Sequence, residues 1–230
     1  MDLKNLNKKL NINFNDPSLL ERSLTHRSVL NEKKNKNLKH NERLEFLGDA
    51  VLELIVSEHL FHKYPDRPEG ELTSFRAAVV NTSSLAEVSK TLDIGQHLIM
   101  SKGEEMTGGR EKEHLLANAF EALLGSIYLD RGYDTTKDFV EKKLIPKLED
   151  VVKYRLDIDP KTKLQERAQR ILKSTPTYKV IDEKGLDHDK TFTVVTKIKG
   201  SVYGKGKGAN KQEGEENAAK EALKKIDDIS

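Results

Sequence analysis

Residues 41–52 read Asn-Glu-Arg-Leu-Glu-Phe-Leu-Gly-Asp-Ala-Val-Leu, and no other stretch restricts the chain as much. Glu42, Glu45 and Asp49 stand three and four residues apart, so on a helix they share one face. Leu44, Leu47, Val51, Leu52 and Ile55 supply an apolar stripe on the same segment, so the helix is expected to be buried. Carboxylates at helical spacing repel one another, and a carboxylate taken out of water needs a partner. Salt bridges would supply that partner, and so would a divalent cation. A solvated acidic face beside Arg43 is the plainer alternative.

A second segment raises the same question. Over residues 112–130, Leu115, Leu116, Ala119, Phe120, Leu123 and Leu124 recur at helical spacing and predict a central core helix. Asn118 and Glu121 lie three residues apart among them. A polar pair so placed needs hydrogen-bond or metal partners.

The flanking segments read as short helices and loops. Residues 1–15 are polar and rich in Lys and Asn, and the first helical signal is Asp16-Pro17, a cap followed by Pro at the first helical position. His26 reads as structural, and residues 31–40 as a polar, basic loop. The acidic helix should stop near His62, ahead of Pro65 and Pro68. A further helix restarts at Gly70-Glu71-Leu72-Thr73, with Glu71 either a carboxylate favoured by the helix dipole or a neighbour of the acidic group. Ser83 or Ser84 should cap the next helix, residues 103–109 form a glycine-bearing loop, and Asp134 caps a last helix that Pro146 kinks.

From Asp159 the periodicity changes. Asp159-Pro160-Lys161-Thr162 starts a helix through Leu172, which precedes three short strands, at residues 177–181, 191–199 and 201–205, with a hairpin turn at Gly200. A final helix spans about residues 210–226. Charge shifts at the same place: 16 Lys and Arg face 12 Asp and Glu from Asp159 onward, against 24 and 26 before it. A basic excess points to an anionic partner. The chain has no cysteine, which excludes disulfides and thiolate metal sites. No apolar run approaches the length of a membrane span, so a cytoplasmic protein with no membrane partner is expected.

Residues Asn41 to Asp49 match the pattern N-E-R-L-E-F-L-G-D of the ribonuclease III family without a substitution. The C-terminal part resembles the double-stranded RNA-binding domain through Leu164-Gln165-Glu166, Asp187-His188, Lys190-Thr191-Phe192, Tyr203-Gly204, Gly206, Gly208, Lys211, Ala218-Ala219 and Ala222-Leu223. The resemblance implies an all-α N-terminal endonuclease domain over residues 1–150, a linker over 151–158, and a small α+β (α-β-β-β-α) double-stranded RNA-binding domain over 159–228.

It further implies an endoribonuclease that cleaves double-stranded RNA by Mg²⁺-dependent phosphodiester hydrolysis, with Mn²⁺ a possible substitute and no small-molecule cofactor. The products carry 5′-phosphate and 3′-hydroxyl ends, and the role is processing of rRNA and mRNA precursors. Glu45, Asp49, Asn118 and Glu121 become the metal ligands, Asp49 and Glu121 the catalytic pair, and Glu42 and Glu71 supporting acids. Phe46 belongs to a homodimer interface; an ordinary core residue is the alternative. Gln165, Glu166, His188 and Lys211 become RNA contacts.

Four departures stand against the family pattern. Asn118 replaces the usual Asp, keeping a carbonyl oxygen but bringing no charge. A catalytically impaired, double-stranded RNA-binding dimer is therefore the alternative function. Gln212, Gly214 and Leu186 stand where Lys, Ala and Pro are common, which implies a weaker RNA contact and a less stable last helix.

Overall fold

The computed structural model describes residues 3–32, 38–185 and 190–227. The chain divides into two compact units, residues 1–157 and 158–230. The first unit is helical: α1 (Leu3–Leu10), α2 (Pro17–Ser23), α3 (Glu42–Lys63), α4 (Glu69–Val79), α5 (Thr82–Thr91), α6 (Ile94–His97), α7 (Lys102–Met106), α8 (Glu113–Lys143) and α9 (Ile145–Tyr154). The second is α10 (Pro160–Leu172), β1 (Thr177–Lys184), β2 (Thr191–Ile198), β3 (Ser201–Gly208) and α11 (Lys211–Asp227). Among the described residues, no helix is long and apolar enough to cross a membrane.

Helices α3 and α8 form the centre of the first unit. The apolar stripe of α3 turns Leu44, Val51, Leu52, Ile55, Val56 and Leu60 inward. That of α8 buries Leu115, Leu116, Ala119, Phe120, Leu123, Leu124 and Ile127. The two cross at Gly48 and Gly125. A Cβ at Gly48 would lie 1.7 Å from the backbone oxygen of Glu121, and one at Gly125 would lie 2.2 Å from that of Leu44. With hydrogen in place of a side chain, backbone meets backbone.

Several boundaries differ from the sequence expectation. Residues 3–10 are helical because Leu6 and Leu10, four apart, are buried in the core. Asn41 precedes α3 and is buried, but it makes no side-chain cap. Asn81, not Ser83 or Ser84, caps α5, accepting from the Ser84 amide. The glycine-bearing loop contains α7, capped by the Ser101 hydroxyl. Gly132, at φ 79°, interrupts α8, so the break falls two residues before Asp134. Pro146 kinks nothing; it sits in the first turn of α9, where its missing N–H has no intrahelical acceptor. Helix α9 continues to Tyr154, so residues 151–154 are helix and not linker. Of the expected 31–40 loop, residues 33–37 lie outside the described residues.

The second unit is an antiparallel sheet in the order β1-β2-β3 with α10 and α11 packed on it. Lys199 and Gly200, both at positive φ, form the two-residue turn between β2 and β3. Gly204, Gly206 and Gly208 recur at period two and turn one face of β3 to α11. Gly214 is buried there, and an added Cβ would meet a Val194 methyl at 2.8 Å. Its glycine is therefore a packing choice at a close approach, beyond the weak helix propensity noted above.

The crossing generates a direct test. Gly48→Ala should destabilise the protein by about 1–3 kcal/mol or more, because the obstructing atoms are backbone and the helices must part. Gly70→Ala, within α4 and with nothing near its added Cβ, should instead leave stability unchanged or raise it by up to about 1 kcal/mol. Urea unfolding of both variants checks this.

Candidate active site

The close crossing of α3 and α8 assembles the acidic group. Gly48 lies between Glu45 and Asp49 on α3, and it rests on the carbonyl of Glu121 itself. Glu45, Asp49, Asn118 and Glu121 are thereby brought together from two helices. Asp49 is exposed, while Glu45, Asn118 and Glu121 are half-buried. The expected stripe on α3 is therefore only partly inward: its apolar residues are in the core and its acids stand at the edge of a cleft.

The electrostatics record this assembly. Burial, then the charges of Asp49 and Glu45, push the Glu121 carboxyl up to about 7. Burial and the charge of Glu42 raise Glu45, while a hydrogen bond from the Asn118 side chain lowers it again. The Asn118 amide beside Glu45 can act as a donor to that carboxylate, which an ionised Asp at that position could not do.

A cavity of about 400 Å³ opens beside these groups, lined among others by His26, Arg27, Glu42, Glu45, His114 and Asn118. Glu42 is exposed and pairs with Arg27 at 3.0 Å. His26, which the sequence reads as structural, lines this cavity and also caps a short helical turn: its Nδ1 lies 2.9 Å from the Ser28 hydroxyl, and burial depresses its pKa. Glu71 does not line this cavity; its carboxylate, in the first turn of α4, pairs at 2.9 Å with Arg67, which precedes the helix.

The donor set consists of hard oxygens, three of them acidic, under mutual repulsion. That chemistry fits a divalent cation such as Mg²⁺, which prefers oxygen ligands and retains several waters. Among the described residues, no three acidic or histidine side chains already close around a point. The fit is therefore to a partly hydrated ion rather than to a rigid protein cage.

Phe46 is not in the core. It is 80% exposed on α3, and Leu54 at 57% and Phe61 at 68% are exposed on the same helix. Ala50, also exposed, completes a row at spacings of four, four and seven. The sequence reading singled out Phe46 alone; the period of the exposed apolar residues was the available signal for the rest. His114 was likewise missed, although it stands one turn before Asn118 on α8. In the second unit, Gln165 and Glu166 are exposed on α10, and Lys211 is exposed at the start of α11 with its ammonium 5.9 Å from the Phe192 ring. His188 lies outside the described residues.

Fold and site together define a class: a helical domain whose two central helices present opposed acids, followed by an α-β-β-β-α RNA-binding module. Residues 16–148 match the family described as Ribonuclease-III-like, and residues 160–226 match the double-stranded RNA binding motif. A ribonuclease 3 of Desulforamulus reducens is 51% identical over 96% of this chain and 90% of its own length. One of Clostridium tetani is 45% identical over 99% and 96%. The nuclease domain of ribonuclease III from Campylobacter jejuni superposes with a TM-score of 0.58 at 40% identity, covering 64% of this chain and 95% of that one. The chain belongs to the ribonuclease III family and is a double-stranded RNA endonuclease. The family is metal-dependent.

The raised Glu121 pKa has a signed consequence. The unfolded chain titrates this group near 4.5, and the folded, metal-free protein near 7. Its contribution to stability is therefore full below about pH 4.5 and is lost as pH rises through 7. In chelator, Glu121→Gln should melt close to wild type at about pH 4 and above it at about pH 8. Melting curves across that range check the sign.

Proposed function

We propose that Glu45, Asp49, Asn118 and Glu121 hold Mg²⁺, with Mn²⁺ an acceptable substitute, and that this group hydrolyses phosphodiester bonds of duplex RNA. The observation that carries the reading is the Gly48–Gly125 contact, which brings opposed acids within reach of one another on two rigid helices. When bound, the metal lowers the pKa of water and offsets charge on the leaving oxygen. The protein's own part is positional. Asp49 and Glu121 would hold the ion from opposite helices, with the neutral Asn118 amide beside the Glu45 carboxylate. Water adds to phosphorus and the bond to the 3′-oxygen breaks. One product keeps a 5′-phosphate and the other a 3′-hydroxyl. The physiological substrates in this reading are rRNA and mRNA precursors that fold into duplexes.

The protein acts as a homodimer in this reading. Phe46, Ala50, Leu54 and Phe61 form an apolar row on one side of α3, beside a groove of about 440 Å³ lined by Leu54, Leu60, Phe61 and Leu72. Such a face is self-complementary under a two-fold axis, and a two-fold dimer offers one acidic group to each strand of a duplex. A Campylobacter jejuni nuclease domain, 42% identical, has a region involved in dimer formation. Gln165 and Glu166 reach 2′-hydroxyls across the minor groove and Lys211 meets phosphate; His188 is assigned to the second minor groove by resemblance alone.

Cleavage of a labelled RNA duplex with Mg²⁺ and with chelator is the primary test, read with end-group analysis. Glu121→Gln should abolish cleavage and leave RNA affinity within about twofold; undiminished cleavage would remove α8 from the mechanism. Asn118→Asp exchanges a donor to Glu45 for a second anion. It should lower the melting temperature in chelator and reduce the Mg²⁺ needed for half-maximal cleavage by roughly tenfold. Phe46→Ala should weaken the dimer by about 2–4 kcal/mol, measured by sedimentation.

A further inference from the structure

We propose that the outer face of the three-stranded sheet is a second phosphate-backbone contact surface, which takes an RNA helix other than the one seated on α10.

The register defines the face. Because Gly204, Gly206 and Gly208 turn towards α11, Lys205 and Lys207 point the other way. Lys205 pairs across with Val195, and Val195 with Lys179; Lys207 pairs with Thr193, and Thr193 with Asp182. Directly paired residues share a face. Lys197, opposite Thr177, and Lys184, opposite Thr191, join the same side. Five lysines and one acid therefore share this face. Among the described residues this face thus carries a surplus of four positive charges.

These charges are not spent within the fold. Lys184 pairs with Asp182 at 3.1 Å. Lys179, Lys197, Lys205 and Lys207 make no ion pair among the described residues. On the helical side Lys161 is tied to Glu215, Gln212 donates to Glu216, and Glu213 accepts from the Ala209 amide. Lysines on edge strands β1 and β3 also discourage strand pairing between molecules. Lys197 is on the central strand and has no such use.

The occupant follows from chemistry and position. A flat array of ammonium groups, with neighbouring strands roughly 5 Å apart and alternate residues roughly 7 Å apart, offers repeated point charges and few directional acceptors. That suits a regular polyanion read without base contacts. Helix α10 buries Leu164 and Ala168 and leaves Gln165 and Glu166 exposed on its far side. A duplex seated there is turned away from the lysines, so the lysines meet a second helix of a branched or folded RNA.

The test uses full-length protein in chelator and two RNAs: a single duplex of about 16 bp, and two such duplexes joined by a flexible single-stranded linker. Affinity is measured against salt. The triple variant Lys179→Gln, Lys205→Gln, Lys207→Gln should leave the slope for the single duplex unchanged. It should reduce the slope for the two-helix RNA by about two, since each phosphate contact contributes roughly 0.7–0.9. Arginine at the three positions should restore it. A control triple, Lys199→Gln, Lys224→Gln, Lys225→Gln, removes the same charge elsewhere and should leave both slopes intact. Equal slopes for wild type and the first triple on the two-helix RNA would overturn the proposal. So would an equal loss in the control, which marks a general charge effect, or a loss for heparin alone, which marks a different polyanion.

Discussion

The backbone contact between Gly48 and Gly125 is the constraint on which the rest of the first unit depends. Two helices whose backbones touch hold their flanking side chains in a fixed relation, because neither axis can slide without collision. Here the flanking residues are acids. The fold therefore works against its own electrostatics: burial and neighbouring charge lift Glu121 to about 7. The opposing contribution is hydrophobic. Leu44, Val51, Leu52 and Ile55 on one helix, and Phe120, Leu123 and Leu124 on the other, are buried, each worth about 1.5–3 kcal/mol relative to exposure. A core of that kind tolerates a few kcal/mol of repulsion at its edge.

Asn118 changes the character of that edge. Its neutral amide stands beside Glu45 and avoids the repulsion that a fourth carboxylate would add. The same lack of charge would give a divalent cation less to bind. Those two effects act in opposite directions on metal affinity and on the stability of the metal-free fold.

Charge is divided between the two units in a way that suits their tasks. An acidic cleft repels phosphate until a cation intervenes, so it contributes little to holding RNA by itself. The second unit carries the positive balance. Within that unit the outer face of the sheet carries five lysines against one acid among the described residues.

Much of this protein was legible in the sequence. The nine residues from Asn41 to Asp49, the helical period around Asn118 and Glu121, and the α-β-β-β-α order after Asp159 were enough for the family and both fold classes, because local periodicity and residue type dictate helices, strands and buried faces. What stayed hidden was whatever depends on a partner distant in the chain. Leu6 and Leu10 make α1 a helix only through the core that receives them, and Gly132 breaks α8 where nothing local distinguished it from Asp134. The approach of Asn118 to Glu45 joins residues more than seventy positions apart. The lysine face exists only once the register sets Lys179, Lys197 and Lys205 on one side. Spacing along a chain fixes which residues share an element; only packing decides which elements touch, and here that contact decides where the charges meet.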